Sequence, residues 1–85
     1  MMIPTVHLNG TGKQSLMDET REAYKAILDA KAALQQMTVH GRDYYVQSPN
    51  AYSVARAEHD ARLNVLSALE DELMEYYRGI EVQGR

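Results

Sequence analysis

From Leu16 onward, positions recur at alternating spacings of four and three: Leu16, Thr20, Ala23, Ile27, Ala30, Leu34 and Met37. That spacing is one helical face, sustained for about three heptads. A second stripe, Met17, Tyr24 and Leu28, widens the apolar face beyond a simple two-stranded seam. The pattern stops at Thr38-Val39-His40-Gly41, where glycine is a natural C-terminal cap. It resumes after Ser48-Pro49, a hydroxyl cap followed by proline in the first helical position. The second series is Tyr52, Ala55, His59, Arg62, Leu66, Leu69, Leu73, Tyr76 and Ile80. Beside it run Val54, Ala61, Val65 and Ala68, small enough to let another helix approach closely.

These elements predict an all-α, single-domain chain, a two-helix antiparallel hairpin with an extended N-terminal arm. The expected boundaries are arm and helix cap at 1–14, first helix at 15–38, tyrosine-rich loop at 39–48, second helix at 49–79 and tail at 80–85. The short connection makes the helices antiparallel. Two helices cannot cover two broad stripes each, so the hairpins are expected to form a homo-oligomer, either a dimeric four-helix bundle or a larger ring. Ile3 to Leu8 alternates weakly, and Val6 and Leu8 would lie across a bundle, its own or a neighbour's.

Composition strengthens the case for association. At 85 residues a chain's own core is thin. The absence of cysteine removes disulfides and thiolate metal sites as substitutes, leaving oligomerisation. A formal charge of -3 argues against general nucleic-acid binding through a large basic stripe, while allowing a local basic pocket. No apolar run approaches a membrane span, and Met1 to Asn9 lacks the pattern of a signal peptide. The expected setting is cytoplasmic, where the Asn9-Gly10-Thr11 sequon is without meaning.

The stretch VHLNGTGKQS raises the question of a phosphate loop. A Walker A loop needs G-x-x-x-x-G-K-[ST] between strand and helix. Here His7 occupies the first glycine position and Gln14 follows Lys13, so the motif fails twice. A dinucleotide fingerprint also fails for want of a third glycine. Thr11-Gly12-Lys13-Gln14 instead reads as a T-x-x-Q capping box, with Ser15 and Asp18 as a second register. The competing reading is an anion at a helix N-terminus assisted by Lys13.

The least generic segment is His40-Gly41-Arg42-Asp43-Tyr44-Tyr45-Val46-Gln47. Tyr44 and Tyr45 could stack on a base while Arg42 grips a phosphate; the plainer reading is that the rings plug the end of the bundle. His59 and Arg62 fall in seam positions where leucines are expected. Either they form a polar layer that fixes register or they serve a ligand, with Glu58, Asp43 or Tyr45 as partners for Arg62. Asn9 and Thr11 lie about 40 Å away at the other end of the hairpin by helix rise, so a composite site would need an antiparallel neighbour. The histidines lack metal-ligand spacing, and no serine or cysteine nucleophile stands out. No cofactor and no catalysis are expected. Glu70, Asp71, Glu72 and Glu75 read as a solvated acidic face, or as a small decoy of a nucleic-acid backbone.

The order His7-Leu8-Asn9-Gly10-Thr11, Gly41-Arg42-Asp43-Tyr44-Tyr45, Ala57-Glu58-His59-x-x-Arg62 resembles a group of short proteins of tailed phages and prophages. The similarity spans most of the chain, and the GRDYY run is its most specific piece. Members tend to carry serine after the threonine, where this chain has Gly12. The resemblance implies a phage accessory protein acting in the host bacterial cytoplasm, with no catalytic residues to carry over. Such proteins commonly oppose host defence by blocking a protein or by sequestering a nucleotide signal. The leading expectation is therefore a sponge that binds a small anionic nucleotide-like ligand between subunits through Asn9, Thr11, Arg42, Tyr44, Tyr45, His59 and Arg62. The alternatives are a phage structural or morphogenesis protein and a direct inhibitor of a host defence factor.

Overall fold

The computed structural model describes residues 1–85 as an all-helical chain. Helix α1 (Lys13–Gln35) and helix α2 (Ala51–Glu81) pack along each other, joined through a single 3-10 turn at Gly41–Asp43. Cross-helix pairs Arg21 with Tyr77 and Lys31 with Glu70 define an antiparallel hairpin. No helix is long and apolar enough to cross a membrane.

The helix ends differ from those the sequence predicts. Gly12, extended at φ -60° and ψ 146°, takes the N-cap position of α1 without a side-chain hydrogen bond. Thr11 is thus one residue too early to cap, and Gln14 donates forward to Asp18 Oδ1 at 2.8 Å rather than back across a capping box. Glycine is tolerated at an N-cap at a cost of a few tenths of a kcal/mol. Helix α1 ends well before Gly41, with the N–H groups of Gln36 and Met37 bonding back to Ala33 and Leu34, ahead of the β-branched Thr38-Val39 pair. Ser48-Pro49 lies in the turn preceding α2 and not in its first turn. Ser48 Oγ donates to Asn50 Oδ1 and Ser53 Oγ to the Asn50 carbonyl, so the turn closes on Asn50. At the other end α2 runs through Gly79 to Glu81.

The seam between the helices keeps most of the expected residues and shifts by one position at its edge. Leu16, Thr20, Tyr24, Ile27, Lys31 and Leu34 of α1 face Ala55, His59, Leu63, Leu66, Glu70, Leu73, Tyr77 and Ile80 of α2, all buried or half-buried. Ala23, Ala30 and Met37, expected inside, are exposed, as are Tyr52, Arg62 and Leu69. The reason is a polar layer. Lys31 lays its stem along the seam and places Nζ 3.0 Å from Glu70 Oε2. Glu70 is therefore not part of a solvated acidic face, which reduces to Asp71, Glu72 and Glu75.

The core is small. Ile80 is fully buried, and Thr20 and His59 are the other buried residues. The accessible surface is 6241 Å², against about 5,100 Å² for a folded monomer of this mass. The radius of gyration is 18.9 Å in a rod of 62 × 20 × 19 Å, where a compact domain of this length would have about 12 Å.

The N-terminal arm lies on its own chain, against the end of α2. Gln83 holds it from both sides, its Oε1 accepting from the Val6 N–H at 2.8 Å and its Nε2 donating to the Pro4 carbonyl at 2.8 Å. Ile3 fills the space over Gly79, which a Cβ there would invade. Lys13 Nζ donates to the Gln83 carbonyl at 2.6 Å, tying the start of α1 to the same cluster. Val6 is half-buried, but Leu8 is 98% exposed and crosses nothing.

Candidate functional site

Arg42, Tyr44 and Tyr45 come together on the turn between the helices. His40 caps that turn, its Nδ1 accepting from the Arg42 N–H at 3.1 Å. The N–H groups of Tyr44 and Tyr45 both bond to the Gly41 carbonyl, so backbone bonds fix the tyrosines beside the arginine. The two rings have different fates. Tyr44 is half-buried and packs on Tyr52, ring centroids 6.5 Å apart and tilted by 46°. Tyr45 is 75% exposed. Only one tyrosine plugs the bundle end; the other leaves a ring free on the same turn as the exposed Arg42.

His59 sits in the seam of α2, 4% exposed, with Nδ1 lacking any hydrogen-bond partner. It lies about 12 Å along the helix from Ala51, in the half of the hairpin that carries the tyrosine turn. Arg62, expected in the seam, is exposed because Leu63 occupies that position. The pair is thus split, one side chain inside and one outside.

Asn9 and Thr11 are exposed, Asn9 on the His7–Gly10 turn, which the Gly10 N–H closes onto the His7 carbonyl at 3.2 Å, and Thr11 just after it. The length of α1 puts them more than about 30 Å from Arg42. Within one chain they do not join the tyrosine turn.

Two grooves escape the sequence reading. Thr20, Arg21, Tyr24, Leu73, Met74 and Tyr77 line a largely apolar groove of about 250 Å³ on one flank of the hairpin. Arg21 Nη2 donates to the Tyr77 hydroxyl at 2.7 Å, and the guanidinium carbon lies 5.6 Å from the ring centroid. The hydrogen bond to Tyr77 is the main cause that raises the Arg21 pKa above its ordinary value, followed by charge interaction with Tyr77 and, more weakly, Asp18 and Glu22. The i,i+3 spacing of Arg21 and Tyr24 is a signal for this groove, but it needs the true seam to bring Tyr77 opposite. The second groove, about 440 Å³ and open, is lined by Lys13, Gln14, Met17, Glu81 and Arg85. There Arg85 pairs with Glu81 Oε1, while the buried Oε2 has no partner. No group of three or more histidine or acidic side chains is placed to hold a metal.

No protein-family model, curated protein or solved structure matches this chain.

Proposed function

We propose that the protein is a phage accessory factor that sequesters a small anionic nucleotide-like ligand between subunits without turning it over, in the host bacterial cytoplasm. The observation that carries this reading is the contrast between Tyr44 and Tyr45. Tyr44 is committed to Tyr52, whereas Tyr45 presents its ring to solvent on the hydrogen-bonded turn that also carries the exposed Arg42. An aromatic face next to a guanidinium is suited to a base and its phosphate. A ligand or a second subunit would bury this exposed ring.

The remaining predicted residues enter through assembly. Asn9 and Thr11 reach a tyrosine turn only from an antiparallel neighbour, and there their amide and hydroxyl would meet sugar or base edges. His59 offers an unsatisfied nitrogen inside the same half of the hairpin, and Arg62 projects outward toward whatever packs on α2.

The test is native mass spectrometry of protein purified gently from phage-challenged cells, repeated after denaturation. The expected result is a reproducible small-molecule mass that denaturation removes, and that is missing from Arg42→Ala and Tyr45→Ala proteins of unchanged oligomeric state. A ligand-free oligomer, with no binding of cyclic or linear nucleotides by calorimetry, would overturn the reading.

A further inference from the structure

Several of the exposed apolar positions on the two helices share a flank. At about 100° per residue, Ala23, Ala26, Ala30 and Ala33 occupy one sector of α1, and Val54, Ala61, Val65 and Leu69 one sector of α2; all are exposed, Val65 by 66%. Because the helices are antiparallel, both sectors fall on the same flank of the hairpin. The groove of Tyr24 and Met74 lies on the opposite flank.

We propose that this flank is covered by a second copy of the chain, related by a two-fold axis that runs across the hairpin midway between Val65 and Leu69. The inference deepens the subunit association on which the proposed function rests, but does not depend on any ligand.

The occupant follows from area and charge. The chain exposes about 1,100 Å² more than a folded monomer of its mass should, close to the ~800 Å² that each partner buries in a stable interface. In an antiparallel pair of α2 helices centred between Val65 and Leu69, each Val65 stands level with the partner's Leu69. The same register sets Arg62 level with the partner's Glu72 and Glu58 level with the partner's Tyr76, each contact occurring twice. Arg62, Glu58 and Glu72 lie on this flank, and none belongs to an ion pair within its own chain.

The other two-fold, parallel to the helices, is disfavoured by the same charges. It would set α2 against the partner's α1, where the Lys31–Glu70 pairing makes Arg62 level with residues near Met37 and Thr38. No carboxylate occurs there. The crosswise axis also carries the partner's terminal end toward the tyrosine turn, the approach that a composite site of Arg42 and Tyr45 with Asn9 and Thr11 requires.

Sedimentation of the full, ligand-free chain provides the test. We expect a dimer or an even multiple of it, weakened about tenfold or more by Arg62→Glu or by Glu72→Arg, and restored by combining the two. Loss through misfolding is distinguished by helical circular dichroism and by that rescue. Because the chain has no cysteine, mixing Val65→Cys with Leu69→Cys chains under oxidising conditions should give a covalent heterodimer exceeding the homodimer of either alone. A monomer at tens of micromolar, single reversals without effect, or no preferred heterodimer would each overturn the proposal. A ligand missing from an intact dimer would overturn only the proposed function.

Discussion

Lys31 and Glu70 form the single ion pair between the two helices, Nζ 3.0 Å from Oε2, with side chains 28% and 21% exposed. A charged pair across a largely apolar seam fixes the axial register of α1 on α2. A partly buried pair of this kind contributes modestly, but removing one member strands the other. Lys31→Met should therefore lower stability by about 1–2 kcal/mol, and Lys31→Met with Glu70→Leu should recover most of it. Urea unfolding at one fixed protein concentration measures both; a neutral single variant would show that the pair does not hold the register.

The arm depends on the missing side chain at position 79. Gly79→Ala gains about 1 kcal/mol of helix propensity, yet its methyl takes the space of Ile3 and should displace the arm. The Val6 amide, now bonded to Gln83, should then exchange its proton markedly faster. Gln83→Ala should reproduce that exchange without the clash, at a cost of about 1–3 kcal/mol for the polar groups left behind. Hydrogen exchange of both variants separates an arm held by Ile3 from one held by Gln83.

His59 separates a structural from a ligand-serving polar group. Its Nδ1 is buried without a partner, and an unsatisfied buried nitrogen costs about 1–3 kcal/mol. His59→Leu should thus leave the ligand-free protein unchanged or more stable by about 1 kcal/mol in thermal unfolding. If the same variant also loses the co-purifying mass, the orphaned nitrogen is kept for the ligand. If it loses stability instead, the imidazole has a packing role that Leu cannot fill.

The two helices, the connecting turn, the under-filled core and most of the seam, Leu16, Thr20, Ile27 and Leu34 against Ala55, His59, Leu66, Leu73 and Ile80, are legible in the spacing of apolar residues; the edge of the seam is not. Scoring Ala23, Ala30, Leu69 and Arg62 as inside follows from counting alanine as apolar and from the heptad phase of Leu66 and Leu73. The true seam runs through Tyr24, Lys31, Leu63 and Glu70. Hydropathy disfavours Lys31 and Glu70 individually, and only their juxtaposition makes them tolerable together. A helix with apolar residues on two flanks leaves the choice of partner for each flank to three-dimensional packing. The turn residues Arg42, Tyr44 and Tyr45 are recognisable as unusual, but the division of labour between the tyrosines depends on Tyr52, in the first turn of α2. The groove of Arg21 and Tyr77 was illegible for the same reason as the seam, since a register shifted by one residue points Tyr77 away.

The clasp of Gln83 on Pro4 and Val6 gives the 62 Å rod a polarity, with the N-terminal arm and Arg85 emerging together at one pole and Tyr45 at the other. A tag or surface tether at either end of the chain would therefore crowd the same pole. Chains immobilised that way would stand with their tyrosine turns outward, like bristles, and would be hindered from the antiparallel pairing that a site between subunits requires.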